Sequence, residues 1–222
     1  ARRFFKTKPD ESVCAGFAST FSNAALLGVP LIDRAYGDLG LTTLSLILAF
    51  HAPLLFGGST LAIEATRARG AGGILPVARR MAARLAQNPI VVGAAAGGVW
   101  GATGLDLPVV ATDVLDLLRQ GAAPAALFAV GAQLVGFSLA GDLKHTSVLV
   151  STKLFLFPIL AAGAILLFAD PHPVAYAAAV TTAALPAGVN PVLLAQMYGV
   201  FIRRASGAMV LSTLIGALTV TA

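Results

Sequence analysis

Long apolar runs separated by short polar stretches dominate the chain. A helix needs about 20 predominantly apolar residues to cross a hydrocarbon core. Runs of that kind place candidate spans at 13–32, 41–62, 88–104, 122–140, 147–168, 174–197 and 204–221. Two further stretches alternate at helical spacing. In ILPVARRMAARLAQ (74–87), Leu75, Ala78, Ala82 and Leu85 form a stripe away from Arg80, Arg84 and Gln87, which predicts a cytoplasmic interfacial helix. DLPVVATDVLDLLRQG, from Asp106, opposes Val110, Val114, Leu117 and Leu118 to Asp113, Asp116 and Arg119 and predicts a second one outside.

The first and sixth spans interrupt themselves. FSNAALLGVPLIDRAYG (21–37) carries Asn23, Gly28 and Pro30, and TTAALPAGVNPVLLAQMYG (181–199) carries Pro186, Gly188, Asn190 and Pro191. Proline lacks an N–H and clashes with the preceding turn, so a mid-span proline strands carbonyls that hydrocarbon penalises by several kcal/mol each. Each break must therefore face protein or a water-filled cavity. Each also reads Gly-Val, then Pro, an apolar turn and Tyr-Gly. The two spans cross in opposite directions, which is the pattern of an inverted repeat with paired discontinuous helices. Pro suits the start of a helix and Asn an N-cap, so new half-helices are expected at Pro30 and at Asn190-Pro191. Their positive dipole ends would meet near the midplane and attract an anion. A pair of simple proline kinks is the plainer alternative.

Composition agrees with a bilayer as solvent: 57% of residues are hydrophobic and 11% charged, against about a quarter charged in soluble domains. The net charge of +5 does not point to nucleic acid, because its distribution is one-sided. Lys and Arg number four in 1–12, five in 64–88, two in 141–153 and two in 198–204, against only Arg34 and Arg119 in the opposite loops. The positive-inside rule then makes the chain start cytoplasmic and the C-terminus extracytoplasmic. The lone Cys14 excludes an internal disulfide. The opening ARRFFKTKPDES reads as a charged loop without an initiating Met, and the expectation is that the true N-terminus lies upstream.

Gly93, Gly97 and Gly101 in the third span strip one helix face of side chains, for close approach of another span or of a second protomer in a homodimer. His51 lies mid-span and is a candidate substrate or proton ligand, with a neutral ring bonded to a carbonyl near Pro53 as the alternative. Gln133 could serve substrate or an interhelical bond. Lys153, near a span end, could snorkel or turn inward to receive a carboxylate. Glu64 and Asp33 lie near span ends, where solvation is the default. No span carries paired acids, which leaves proton and sodium as candidate coupling ions. GAGG (70–73) has no P-loop Lys-Ser/Thr pair. Ser22, Ser59, Ser138 and Ser206 lack a His–acid partner motif, and His51, His145 and His172 have no metal spacing. An enzyme, a metal site and a cofactor are therefore not expected.

SNAALLGVPLIDRAYGDLG, NPIVVGAAAGGVWGATGLDLP, APAALFAVGAQLVG, and ALPAGVNPVLLAQMYG followed by ASGAMVLSTL resemble, in order, the auxin efflux carrier family of membrane transporters. FHAPLLF with Glu64 and the ALPAGVN form of the second break look most like its bacterial malonate or dicarboxylate branch. The resemblance implies an all-α polytopic fold of two inverted five-span repeats, of which this chain would hold spans four to ten. It divides the chain into part of the first repeat (1–64), a basic loop (65–87), scaffold spans (88–140) and transport spans (141–222). It implies secondary transport of a small organic anion across the bacterial inner membrane by alternating access. The family's Asn and Pro at the two breaks carry over onto Asn23, Pro30, Asn190 and Pro191, and the reading of the breaks and of the fourth span adds Gly28, Pro186 and Gln133 as expected substrate contacts. The alternative on the same fold is a channel, a uniporter or a non-transporting sensor. Residues 1–222 alone are not expected to transport.

Overall fold

The computed structural model describes residues 7–67, 79, 83, 86–87, 89–135 and 143–219. Among them every regular element is helical, as expected. The elements are α1 (Pro9–Thr20), α2 (Val29–Arg67), α3 (Pro89–Ala102), α4 (Val109–Val135), α5 (Leu143–Ser151), α6 (Phe157–Phe168), α7 (Pro173–Ala184), α8 (Asn190–Tyr198) and α9 (Ile202–Thr219). Short π-helical segments at Ala24–Gly28 and Thr152–Leu156 lead into α2 and α6.

Two helical runs, Ala24–Arg67 and Leu143–Phe168, are long and apolar enough to cross a membrane, and Pro173–Ala184 is a shorter apolar helix. Seven separate spanning helices are thus not what the described residues present, and the reasons are local. The first run joins the later part of the first expected span, beyond its break at 21–23, to the second, and Gly37, at φ 61° and ψ −153°, turns the chain between them. Only glycine takes such a conformation without a Cβ penalty. The sixth expected span is cut in two between α7 and α8, and the third is 14 residues long. The outer amphipathic stretch is not a separate surface helix. It is the beginning of α4, which runs unbroken through Pro124. Most of the basic stretch 74–87 lies outside the described residues.

Helix α1 packs on α8, and α2 packs on α7. Cys14, Phe17, Phe21, Ile63 and Leu194 fill the first contact. Ala24, Ile32, Leu44, Ala178 and Leu185 fill the second. Outside these contacts lie exposed large apolar residues, among them Phe128, Leu166, Leu167 and Phe168. Lipid tails are as apolar as leucine, so the buried clusters hold the helices by close packing and not by escape from water. The face of Gly93, Gly97 and Gly101 meets nothing: a Cβ on any of them would have no described atom within 4 Å.

Candidate functional site

The first break lies earlier than the sequence suggests. Phe21, Ser22 and Asn23 leave helical geometry, and a new helix already begins at Ala24. Pro30 therefore does not start a half-helix. It follows a π turn in which the Gly28 N–H reaches back five residues to the Asn23 carbonyl, at 3.2 Å. That wider turn precedes the proline whose ring and missing N–H a tight α-helix would resist. Gly28 is a packing residue, since a Cβ there would sit 3.1 Å from Leu185 and 3.4 Å from Leu44. The second break spans Leu185 to Val189. Here Val189 holds the N-cap position of α8, without a side-chain cap, so Asn190 is the first residue of the helix and not its cap.

The two breaks lie against each other. Ser22 and Ala187 form an antiparallel bridge, with the Asn23 N–H donating to the Pro186 carbonyl at 2.8 Å and the Gly188 N–H to the Phe21 carbonyl at 3.3 Å. A Cβ on Gly188 would stand 3.0 Å from the Phe21 ring, so the close approach favours glycine, and a larger residue would have to push the ring aside. Two side chains take the remaining donors. His51 Nε2 accepts the Ser22 N–H at 3.1 Å, and Ser212 Oγ accepts the Ala187 N–H at 3.0 Å. Phe21 and Leu185 still donate back to Phe17 and Thr181. Every N–H from 21 to 23 and from 185 to 188 is thereby satisfied, as non-helical backbone at membrane depth requires.

Some side-chain groups at the crossover are left over. Ser22 Oγ is buried with no hydrogen-bond partner among the described residues. Asn23 is 9% exposed and Asn190 is half-buried, and neither amide caps a helix. Because the bridge is antiparallel, the half-helices starting at Ala24 and Asn190 leave it in opposite directions, with their N-termini toward it. Each N-terminus carries about half a positive charge. Two amides that cap no helix, a hydroxyl without a partner among the described residues and two positive poles suit a small polar anion.

His51 is tied into this frame through its ring nitrogen. It accepts from a backbone N–H and does not donate to a carbonyl near Pro53. Its ring also packs on Phe21, centroids 4.6 Å apart. An Nε2 that accepts is unprotonated, so a neutral ring carries its proton on Nδ1. Lys153 does not snorkel. It is fully buried, and its Nζ donates to the Ala183 carbonyl at 2.6 Å. Pro186 and Pro191 are buried in and beside the second break. Gln133 falls on α4, but its side chain lies outside the described residues. Ser212 was not legible as a site residue. Its signal would have been its place 25 residues after Ala187, matching that of His51, 29 after Ser22.

The repeated Tyr-Gly pairs end the two outgoing half-helices. Gly37 and Gly199 both have positive φ, 61° and 68°. Tyr36 hydroxyl bonds Thr181 at 2.8 Å, and Tyr198 donates to Glu64 at 2.8 Å. Near Tyr198, Arg67 donates to its carbonyl at 3.0 Å and pairs with Asp10 at 3.2 Å. Near Tyr36, Arg119 lies 3.8 Å from Asp33 and 3.5 Å from Asp38. Glu64 and Asp33 are thus partnered and not simply solvated. Burial pushes the Asp10 carboxyl up, but the Arg67 hydrogen bond and charge and the Glu11 N–H outweigh it and leave Asp10 below the usual carboxylate value.

A protein of Rhizobium meliloti (strain 1021) named "Putative malonate transporter" is 32% identical over 213 residues, 95% of this chain and 66% of the relative. The chain therefore spans slightly less than two thirds of that relative's length. The family model described as membrane transport protein matches residues 73–222, which include the second break, Lys153 and Ser212. With the motifs of both breaks in order along it, the chain belongs to this membrane transport family, the auxin efflux carriers.

Proposed function

We propose that the full-length protein is a secondary carrier of small organic anions, carboxylates such as malonate, which binds its substrate at the crossover and moves it by alternating access. The observation that carries this reading is the antiparallel Ser22–Ala187 bridge, which brings together the starts of two half-helices, beside which stand Asn23 and Asn190, whose side chains cap neither helix. Asn23 and Asn190 offer N–H donors to a carboxylate, while the helix ends supply positive potential without a mobile charge. Pro186, Pro191 and Gly188 shape the gap, and Gly28 and Pro30 support the helix behind it. The malonate named for the relative belongs to the same chemical class.

In the same reading, α3 and α4 belong to a scaffold and the crossover helices to a moving unit. The Arg119 pairs with Asp33 and Asp38 then connect the two and exchange partners during the cycle. The test is uptake of radiolabelled malonate and other small carboxylates by the full-length protein in liposomes under imposed voltage and pH gradients. Saturable uptake with counterflow supports a carrier. Flux without saturation or counterflow indicates a channel, and no flux with ligand binding indicates a sensor.

A further inference from the structure

Lys153 is a fully buried amine that no carboxylate pairs with among the described residues. It sits in the π turn Thr152–Leu156, where the irregular winding faces its stem toward the second break. Its Nζ donates to the Ala183 carbonyl and lies 5.0 Å from the centre of the Phe157 ring. Ala183 is in the last turn of α7, where the final carbonyls of a helix have no partner of their own and carry the negative pole.

The turn holding Lys153 packs against α1, α5, α6, α7 and α9. The acids on these helices are Asp10 and Glu11 at the start of α1, and Asp10 is paired with Arg67. Their other titratable or charged groups are Cys14, Lys144, His145, Tyr176, Arg203 and Arg204. No ion pair joins Lys153 to a carboxylate among the described residues. His51 is the other basic group near enough to feel its charge.

In transporters with broken helices, the carbonyl ends of half-helices are where a coupling sodium ion or proton is held. Here an ammonium on a covalent tether occupies such an end. We infer that Lys153 is the resident cation of the crossover: it fills the carbonyl end of α7 in place of sodium and balances the charge of the incoming carboxylate, so that the carrier works without sodium. The inference deepens the carrier reading and rests on it for the substrate. Its geometric basis is the Nζ contact with Ala183, three residues before Pro186. A single ammonium has three donors, and one suffices for Ala183, which leaves two for an anion that enters beside it.

The experiment uses the full-length carrier and its Lys153→Met and Lys153→Arg variants, with sodium or choline as the only monovalent cation and malonate as the probe. Melting temperature and uptake are both read. The melting temperature of the unaltered protein should not differ between the two cations, because a ligand that binds only the folded state would raise it. Uptake should agree within about twofold in the two media, since sodium coupling would make the difference tenfold or more. Lys153→Met should melt no lower than the unaltered protein, because replacing a buried charge by a hydrophobe of similar size is often neutral or stabilising. It should nevertheless lose malonate uptake and malonate-induced stabilisation by at least about tenfold in concentration dependence. Lys153→Arg, which keeps the charge, should recover part of the loss.

A sodium-dependent rise in melting temperature, or uptake that collapses in choline, overturns the resident-cation inference even if malonate is carried. Full malonate response in Lys153→Met overturns it as well. If the unaltered protein neither carries nor is stabilised by malonate or another small carboxylate, the carboxylate reading fails instead. The sodium arm of the melting experiment then decides the inference by itself: indifference to sodium supports it, and stabilisation by sodium overturns it.

Discussion

The Asn23 amide nitrogen donates to the Pro186 carbonyl at 2.8 Å, joining two positions 163 residues apart in the chain. Only the backbone of Asn23 is used in this contact, and its side chain is left for other work. The Asn23→Ala and Asn190→Ala variants of the full-length carrier should therefore change stability by less than about 1 kcal/mol, since no protein hydrogen bond is lost. Malonate affinity should fall about tenfold or more for each, the loss of one good hydrogen bond to a charged group. Melting temperature with and without malonate measures both. Equal ligand-induced shifts in variant and parent would remove the asparagines from the site.

The His51 and Ser212 tethers should behave in the opposite way. His51→Ala and Ser212→Ala each leave a buried backbone N–H without an acceptor, which costs about 1–3 kcal/mol. Both should lower the melting temperature without ligand, and hydrogen exchange at Ser22 and Ala187 respectively should accelerate. Unchanged exchange at those amides would show that water takes over the role freely.

Gly188→Ala tests the close approach of the breaks. Its Cβ would fall 3.0 and 3.1 Å from Phe21 ring atoms and 3.4 Å from the Asn23 Cα. The Phe21 ring is itself held against Phe17, centroids 5.1 Å apart, and has little room to yield. Overpacking of this kind costs about 1–3 kcal/mol. A melting temperature equal to that of the parent would mean that the breaks can separate at no cost.

The Asp10–Arg67 pair gives a pH signature. The folded carboxyl lies below its ordinary value of 3.8, so the unfolded chain binds the proton more readily. The contribution of the pair is fully present above the ordinary value and is lost as pH falls through the folded one. Solvent reaches the guanidinium, so the effect is small and screened by salt. Thermal stability of Asp10→Asn should be lower than that of the parent near neutral pH, and the difference should close toward pH 3. A difference that stays constant down to that pH would assign the effect to packing.

Much of the crossover was legible because its signals are local: prolines inside apolar runs, asparagines beside them, and a Gly-Val, Pro, Tyr-Gly order repeated in opposite orientation. The place of the first break was not. Pro30 looks like a helix start, yet a π turn ahead of it lets the helix run through, and Gly28 in that turn lies close to Leu44 and Leu185, residues far away in the sequence. Lys153 was read from its nearness to a span end. A carbonyl 30 residues further along the chain decides its direction, and no pattern around residue 153 carries that contact. Ser212 is one serine among many until Ala187 needs an acceptor. Span counting from apolar runs gives more segments than the described helices that pass by length and composition, because an interrupted run yields two short helices in place of one long one.

The bridge between the breaks is made by main-chain atoms at both ends. Backbone groups are common to every residue, so the junction asks little of side chains apart from the acceptors at His51 and Ser212 and the small residue at 188. Residues 23 and 190 can then be exchanged while the frame that presents them persists. An engineer could use the same separation: under the proposed carrier reading, new specificity can be sought at these two residues without rebuilding the bridge that holds the breaks together.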